Sequence, residues 1–447
     1  MTELLKSTSN TIRRFASASN ILIAATILAV VCANVPGVRE LYNFLWTIPV
    51  TLDMGGFNLF SHHGEALSLG SFINDALMTI FFFTVGLEIK REMLVGELSS
   101  VKKALLPIIG ACGGMLMPVL VFYGVASCEP DGAQYLRGCA IPMATDIAFS
   151  LAVITMLGDR VPVSIKVFLT TLAVADDLGG IIVIATCYST GLEYSYMAVA
   201  FVLLAITAIA GGYFKVRKKV FYVVMGVIIW YLFLNTGIHP TIAGVCVAFC
   251  VPSEPKLTPS RYIQALKESI SELTVSTNLN EKVMFTDKQL DTLQDIELRA
   301  SRMVSPLQQF ENTLQAPVNF VILPLFAFSS AGIYLLDMNP GSIFGGVSLA
   351  VMLGLVIGKC TGIFIASWLS IVLHIAEKPE GSTWPMLASV AMVGGIGFTV
   401  SLFIATLSFD PVAHASILNN AKMGIVLGSL ISGFLGYLLL KLTTKKQ

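Results

Sequence analysis

The sequence predicts an all-α integral membrane protein with about twelve transmembrane helices. Three observations carry this expectation. Of 447 residues, 55% are hydrophobic and only 13% are charged, against about 25% charged in a soluble domain. With a mean hydropathy of +0.79, the chain has too little charge to cover a water-facing surface. Apolar runs near the ~20 residues that cross a bilayer as a helix recur along the chain. Basic residues gather in alternate loops, as expected when one side of the membrane retains them.

The apolar runs fall near 15–34, 71–90, 104–126, 139–158, 164–188, 195–214, 218–235, 238–252, 316–336, 343–373, 384–408 and 420–441. The first follows Arg13 and Arg14 and ends at Asn34, Val35 and Pro36. With no small-x-small cleavage site after it, it reads as a retained helix. Basic residues cluster at Lys6, Arg13 and Arg14, at Lys90, Arg91, Lys102 and Lys103, and at Arg160 and Lys166. They recur at Lys215, Arg217, Lys218 and Lys219, and at Lys441, Lys445 and Lys446. The loops between hold few, chiefly Arg39 and Arg137. An even number of helices with both termini cytoplasmic fits this asymmetry.

Organisation follows from the same pattern. Residues 1–252 hold eight of the expected helices, 253–315 form a charged cytoplasmic connector, and 316–447 hold four more. Within the connector, Ile263–Leu273 and Leu290–Met303 alternate apolar and charged positions as short amphipathic helices do. The connector reads as a solvated link, with a regulatory or partner-docking element as the alternative.

Composition also excludes classes. Zero net charge leaves no basic footprint for nucleic acid. The cysteines at 32, 112, 128, 139, 187, 246, 250 and 360 include no Cys-x-x-Cys pair, so no zinc or redox motif is expected. Most sit in apolar runs, as small core residues do. Cys128 and Cys139 flank one polar loop, which leaves a disulfide open if that loop faces an oxidising compartment.

The chemistry lies in charges placed where charge is expensive. An ionised side chain at mid-bilayer costs about 2.5–3.5 kcal/mol on insertion scales. Asp146, Asp176, Asp177 and Lys359 lie deep in apolar runs, and Lys359 is the only lysine read as deep in a span. Asp75 and Glu88 lie nearer the ends of the second run. Asp176 and Asp177 point about 100° apart on a helix, so they cannot face one site equally. One can line a cavity while the other meets a partner. A structural ion-pair network is the alternative. A carboxylate withdrawn from water holds its proton to higher pH, and a second carboxylate beside it adds to this. Its oxygens also suit a hard cation such as Na⁺ or Li⁺. Proton and cation then compete for one site, and a site open to one side at a time turns that competition into antiport.

Two runs are interrupted, one by Gly138, Pro142 and the Ala144-Thr145-Asp146 stretch, the other by Gly394, Gly395 and Gly397. Breaks in corresponding spans of two halves point to a midplane site. Half-helix N-termini carry partial positive charge and C-termini partial negative charge. Asp146 would offset the former and Lys359 the latter. Kinking for packing alone is the simpler reading of either break.

At these residues the chain resembles the NhaA family of bacterial Na⁺/H⁺ antiporters. The matching stretches are INDALMTIFFFTVGLEIKREML (Ile73–Leu94), AIPMATDIAFSLAVITMLGDRVP (Ala140–Pro162), FLTTLAVADDLGGIIVIA (Phe168–Ala185) and TGIHPTIAGV (Thr236–Val245). VILPLFAFSSAGI (Val321–Ile333), IGKCTGI (Ile357–Ile363) and GGIGFTVSLFIATLSF (Gly394–Phe409) follow in order. The resemblance implies twelve helices with inverted repeats and two interrupted helices crossing at mid-membrane. It implies electrogenic exchange of Na⁺ or Li⁺ for protons in a bacterial inner membrane, by a homodimer set in the lipid bilayer, with no cofactor. By motif position, Asp177 is the leading cation ligand and proton carrier, with Asp176 and Thr145 beside it. Asp146 and Lys359 match the charges that compensate the interrupted helices, and Lys359 also matches the partner of Asp176. Asp75 matches an acid of the periplasmic funnel. Glu88, Glu92, His239 and Glu311 match residues of the family's activation by alkaline pH. For Glu88 and Glu92 a solvated helix end remains open, and for His239 a helix cap. His62, His63, His374 and His414 take no role. The longer connector before Glu311 departs from the family and bears on the activation pH.

Three other readings compete. A sodium-coupled solute symporter needs a roomy substrate cavity beside the cation site. An intramembrane aspartyl protease needs its two aspartates on facing helices, whereas Asp176 and Asp177 are adjacent. A passive channel needs no carboxylate that takes up protons.

Overall fold

A computed structural model describes residues 2–52, 55, 58–62, 64–130, 132–189, 191–255, 260, 263–264, 266–267, 270, 287–336, 338 and 340–444. Lys6, Arg13 and Arg14 lie on the first helix, but their side chains fall outside this set. His63, Lys445, Lys446 and most of Ile263–Leu273 also lie outside it.

The described chain is mostly helical and belongs to a multi-pass membrane protein. Seven helices are long and apolar enough to cross a bilayer: Leu69–Leu94, Val101–Ser127, Val163–Cys187, Tyr194–Gly212, Pro306–Ser330, Gly341–Val372 and Ala415–Thr443. Three bent pairs pass the same test together. They are Ala18–Asn34 with Val38–Thr47 (113°), Gly132–Gly138 with Ile141–Thr155 (44°), and Trp384–Val393 with Phe398–Ser408 (46°). Two shorter apolar helices, Lys219–Leu234 and Thr241–Cys250, complete the set. A two-stranded antiparallel hairpin, Ser61–His62 with Glu65–Ala66, joins the first two spans; the apolar pattern gave no sign of it. Within the connector a helix runs from Asp287 to Met303. Ser305 then caps the next helix by accepting from Gln308 N at 3.3 Å, in a reciprocal capping box with Gln308.

Lipid tails are as apolar as leucine, so close packing rather than burial from water holds such helices together. Val101–Ser127 packs along Cys360–Val372, and Ala415–Thr443 packs on Gly346–Leu353 and Trp384–Val393. At the first contact two glycines face each other, and a Cβ on Gly362 would lie 2.2 Å from Gly113 O. That approach seats the helix carrying Lys359. The last helix begins at Ala415 rather than near 420. Lys422 therefore lies two turns inside it, which corrects the expectation that Lys359 is the only lysine within a span.

Three π-helical turns interrupt the described spans, at Ile73–Leu77, Val318–Ile322 and Gly354–Lys359. Single π turns inside α-helices often mark functional positions. Here two of them carry Asp75 and Lys359.

Candidate functional site

The two interrupted spans meet at their breaks. In one, Ala144 and Asp146 are extended (ψ 149° and 104°) before the Ile147–Thr155 helix starts. In the other, Gly394–Gly397 separate two half-helices. Asp146 N donates to Ile396 O at 2.6 Å, and Thr145 Oγ1 donates to Gly394 O at 3.0 Å. Each break thus satisfies backbone groups that the other leaves free, which irregular backbone inside a membrane requires.

Asp146 is buried and caps two helices at once. One carboxylate oxygen accepts from Phe149 N at 3.2 Å, in the first turn of its own helix. The other accepts from Thr399 N at 3.1 Å and Thr399 Oγ1 at 2.5 Å, in the first turn of Phe398–Ser408. A negative charge between two positive helix ends is the electrostatically favoured arrangement. Ser150 Oγ to Val393 O (3.2 Å) and Ser401 Oγ to Ile141 O (2.7 Å) stitch the same two spans.

Lys359 is fully buried and faces the opposite kind of end. Its ammonium donates to Met143 O, where the Ile141–Met143 turn closes, and to Asp176 Oδ2 at 2.5 Å. Asp176 is 2% exposed. Its Oδ1 has no hydrogen-bond partner among the described residues. Asp177, one residue on, is 8% exposed and takes no part in the Lys359 pair. The two adjacent aspartates thus have different surroundings, Asp176 paired with Lys359 and Asp177 in no described hydrogen bond or ion pair. Among the described residues no three His, Cys, Asp or Glu side chains converge as a metal-ligating group.

The other sequence-marked residues form two separate groups. Asp75 Oδ1 lies 3.6 Å from His239 Nε2, and His239 Nδ1 accepts from Thr241 N at 3.4 Å while sharing a 2.7 Å hydrogen bond with Thr241 Oγ1. His239 does sit before the Thr241–Cys250 helix as a cap would. It also pairs with Asp75, which sequence alone did not couple to it. In the second group, Arg91 bridges Glu92 (3.1 Å) and Glu311 (2.9 Å). Glu88 lies one turn earlier on the same helix and is half-buried. Neither group touches Asp176 or Asp177 through a described hydrogen bond.

Thr399, Ser150 and Ser401 were missed by the sequence reading. The available signal was a hydroxyl within the first turns after each break, Ser150 after Asp146 and Thr399 and Ser401 after Gly397. Lys90 was read only as a topology marker. Its ammonium also donates to Phe249 O (2.7 Å) and Val251 O (2.5 Å), closing the carbonyl end of Thr241–Cys250.

Comparison with known proteins gives a consistent result. The profile of the family described as Na⁺/H⁺ antiporter 1 matches residues 9–440. The chain is 47% identical over 436 residues to a Na⁺/H⁺ antiporter NhaA of Bacteroides thetaiotaomicron, covering 97% of each chain. A protein of the same name in Phocaeicola vulgatus is 48% identical over 429 residues, covering 96% of this chain and 94% of that one. A third, in Oleidesulfovibrio alaskensis, is 38% identical over 433 residues, covering 96% and 93%.

Proposed function

Because the chain belongs to the Na⁺/H⁺ antiporter 1 family of NhaA transporters, we propose that it exports Na⁺ or Li⁺ in electrogenic exchange for protons, with both competing for Asp177 and Asp176. The observation that carries this is the divided aspartate pair. Asp176 is held by Lys359 at 2.5 Å, while Asp177 beside it takes part in no described hydrogen bond or ion pair.

The residues then act as follows. Asp177 offers its carboxylate to a proton or to a dehydrated cation. Asp176 adds its unpartnered Oδ1 when the cation enters. Thr145 stands at the same break to lend its hydroxyl, and carbonyls or water complete the shell. A cation on Asp176 weakens its hold on Lys359, which then gives up a proton; reprotonated Lys359 recaptures Asp176 as the cation leaves. Asp146 and Lys359 neutralise the ends of the interrupted spans throughout. Asp75, with His239, stands on the periplasmic route. Glu88, Glu92 and Glu311, with Arg91, set the pH of activation from the cytoplasmic end, and His239 takes part from the other side.

The seven long helices, the three bent pairs and the two short helices make up the twelve crossings we propose. The hydrogen bonds between the breaks support two interrupted helices that cross at mid-membrane, and the family resemblance supports their relation by inverted repeats. The distribution of basic residues supports both termini in the cytoplasm, in a bacterial inner membrane. The family resemblance supports a homodimer. Residues 253–315 act as a cytoplasmic connector that tunes the pH profile.

The test is exchange in proteoliposomes that carry a proton gradient and a pH-sensitive dye. Adding Na⁺ or Li⁺ dissipates the gradient, K⁺ does not, and Asp177→Asn abolishes the response while leaving the protein folded. No response to either ion across the neutral and alkaline range would overturn antiport in favour of solute symport.

A further inference from the structure

Three elements meet at their basic ends and leave a slot between them. Its walls are the start of the Val101–Ser127 helix, the start of the Val163–Cys187 helix and the loop at 377–380. The two helices carry Lys102, Lys103 and Lys166 in their first turns. On the orientation proposed above, the mouth of the slot therefore lies at the cytoplasmic surface. The cavity holds about 410 Å³, a volume in the range of small-ligand sites.

The lining changes character with depth. The mouth sets Lys102, Lys103 and Lys378 against Glu97, Glu377 and Glu380. Lys103 is engaged with Glu97 at 3.4 Å, and the Lys378 ammonium lies 5.5 Å from the centre of the Trp384 ring. The side chains of Lys102, Glu377 and Glu380 make no hydrogen bond or ion pair among the described residues. Below the mouth the walls are apolar. Leu106 lies one turn below Lys102 and is buried, as is Phe168 across from it, so these two close the back. Val163 and Val167 are 69% and 36% exposed, so the slot opens sideways, where lipid lies. Two hydroxyls reach the lower walls and both are satisfied. Ser164 Oγ donates to Glu380 O at 2.6 Å, and Thr171 Oγ1 donates to Val167 O at 2.9 Å.

We propose that this slot is a binding site for a phospholipid whose headgroup carries a phosphate and a primary ammonium, a phosphatidylethanolamine. Charge complementarity selects the headgroup. The three cations and three carboxylates of the mouth balance, so a purely anionic headgroup meets repulsion as well as attraction. The phosphate takes the Lys102 and Lys378 ammonium groups, and the ethanolammonium takes the Glu377 and Glu380 carboxylates. A primary ammonium brings three N–H donors to those oxygens, whereas a choline headgroup brings none. One acyl chain lies along Val163, Val167 and Leu106. An acyl chain gains little by leaving one apolar surface for another, so selectivity rests on the headgroup, and the chain only sets its depth.

The bound lipid braces the start of the helix that carries Asp176 and Asp177 against the neighbouring helix and loop. Thr171, on the wall of the slot, lies five residues before Asp176, about 7.5 Å along the helix. The lipid is a fixed part of the folded protein and not a transported species, so the inference stands apart from the antiport reading.

The experiment uses the full chain, purified in detergent and stripped of lipid. It is melted alone and with added phosphatidylethanolamine, phosphatidylcholine or phosphatidylglycerol of matched chains. Phosphatidylethanolamine should raise the melting temperature by about 3 °C or more through mass action on the folded state, and the other two by less than about half of that. Glu377→Gln with Glu380→Gln should reduce the phosphatidylethanolamine response to that of phosphatidylcholine. Lys102→Ala with Lys378→Ala should remove most of it. All four side chains are exposed, so both double variants should melt with the parent when no lipid is added. Val167→Trp, which fills the slot, should also remove the response, and native mass spectrometry should find phosphatidylethanolamine retained on the parent and lost from the variants. No response to any of the lipids, equal responses to all three, a larger response to phosphatidylglycerol, or a phosphatidylethanolamine response kept in both double variants would each overturn the proposal.

Discussion

Lys359 and Arg91 both hold carboxylates, but at different depths, and the contrast separates two kinds of charge in this chain. The Lys359 and Asp176 side chains are 0% and 1% exposed. Those of Arg91 and Glu311 are 38% and 13% exposed. Breaking a pair that is cut off from water leaves an uncompensated charge, at about 3–5 kcal/mol. Exposed pairs contribute about 0–1 kcal/mol. The deep pair is therefore close to all-or-none, suited to a transport step. The shallower cluster can change partners cheaply, suited to modulation.

Four measurements would break or sharpen that contrast. The largest effect is expected from Lys359→Met, which strands Asp176. Thermal unfolding in detergent should show a loss of about 3–5 kcal/mol, and adding Asp176→Asn should restore most of it. A single mutant as stable as the parent would mean the deep pair is no deeper in energy than the shallow one. Next, Asp146→Ala removes acceptors from Phe149 N, Thr399 N and Thr399 Oγ1 together. Two lost caps predict about 1–4 kcal/mol of destabilisation, with exchange reduced as the two spans loosen. Arg91→Ala should change stability by less than about 1 kcal/mol. Its effect should be a displaced pH profile of exchange, read from dye-loaded vesicles, with little change in the maximal rate. The smallest effect belongs to Glu254. The adjacent Lys215 ammonium holds its carboxyl below the usual carboxylate range. A group depressed on folding stabilises above its unfolded pKa, and that contribution fades as pH falls through the depressed value. Glu254→Gln should therefore narrow its small difference from the parent only under acid conditions, as followed by melting temperature against pH.

The same division governs what the sequence made legible. A carboxylate amid apolar residues is conspicuous, so Asp146, Asp176, Asp177 and Lys359 were identifiable from context. The two breaks were identifiable from Gly394–Gly397 and from Pro142 beside Ala144-Thr145-Asp146. That Asp176 and Asp177 cannot share one set of surroundings followed from helix geometry alone. What remained hidden depends on contacts between distant segments. Asp75 and His239 are far apart in the chain, and nothing local couples them. Thr399 reads as an ordinary helix residue until Asp146 is placed against it. The π turn at Asp75 adds a residue to one helical turn without any Gly or Pro inside it to announce it, and the one at Lys359 contains Gly354 and Gly358, which apolar spans also carry for packing. The hairpin at Ser61–Ala66 and the 113° bend after Asn34 arise where the apolar pattern stops and turn chemistry takes over.

The double cap at Asp146 has a mechanical consequence. One carboxylate fastens the starts of two half-helices, and Thr145 and Ser150 fasten the neighbouring carbonyls of the same partner span. These links act as rivets through two crossed plates. The plates can tilt as a pair, but neither can slide past the other without shearing several hydrogen bonds at once. Slack in the machine must then lie at joints held by fewer fasteners. The nearest is the Val163–Cys187 helix, joined to this frame through Lys359 at Asp176 and through its capping Tyr188, which bonds Arg137 O and Ser408 Oγ.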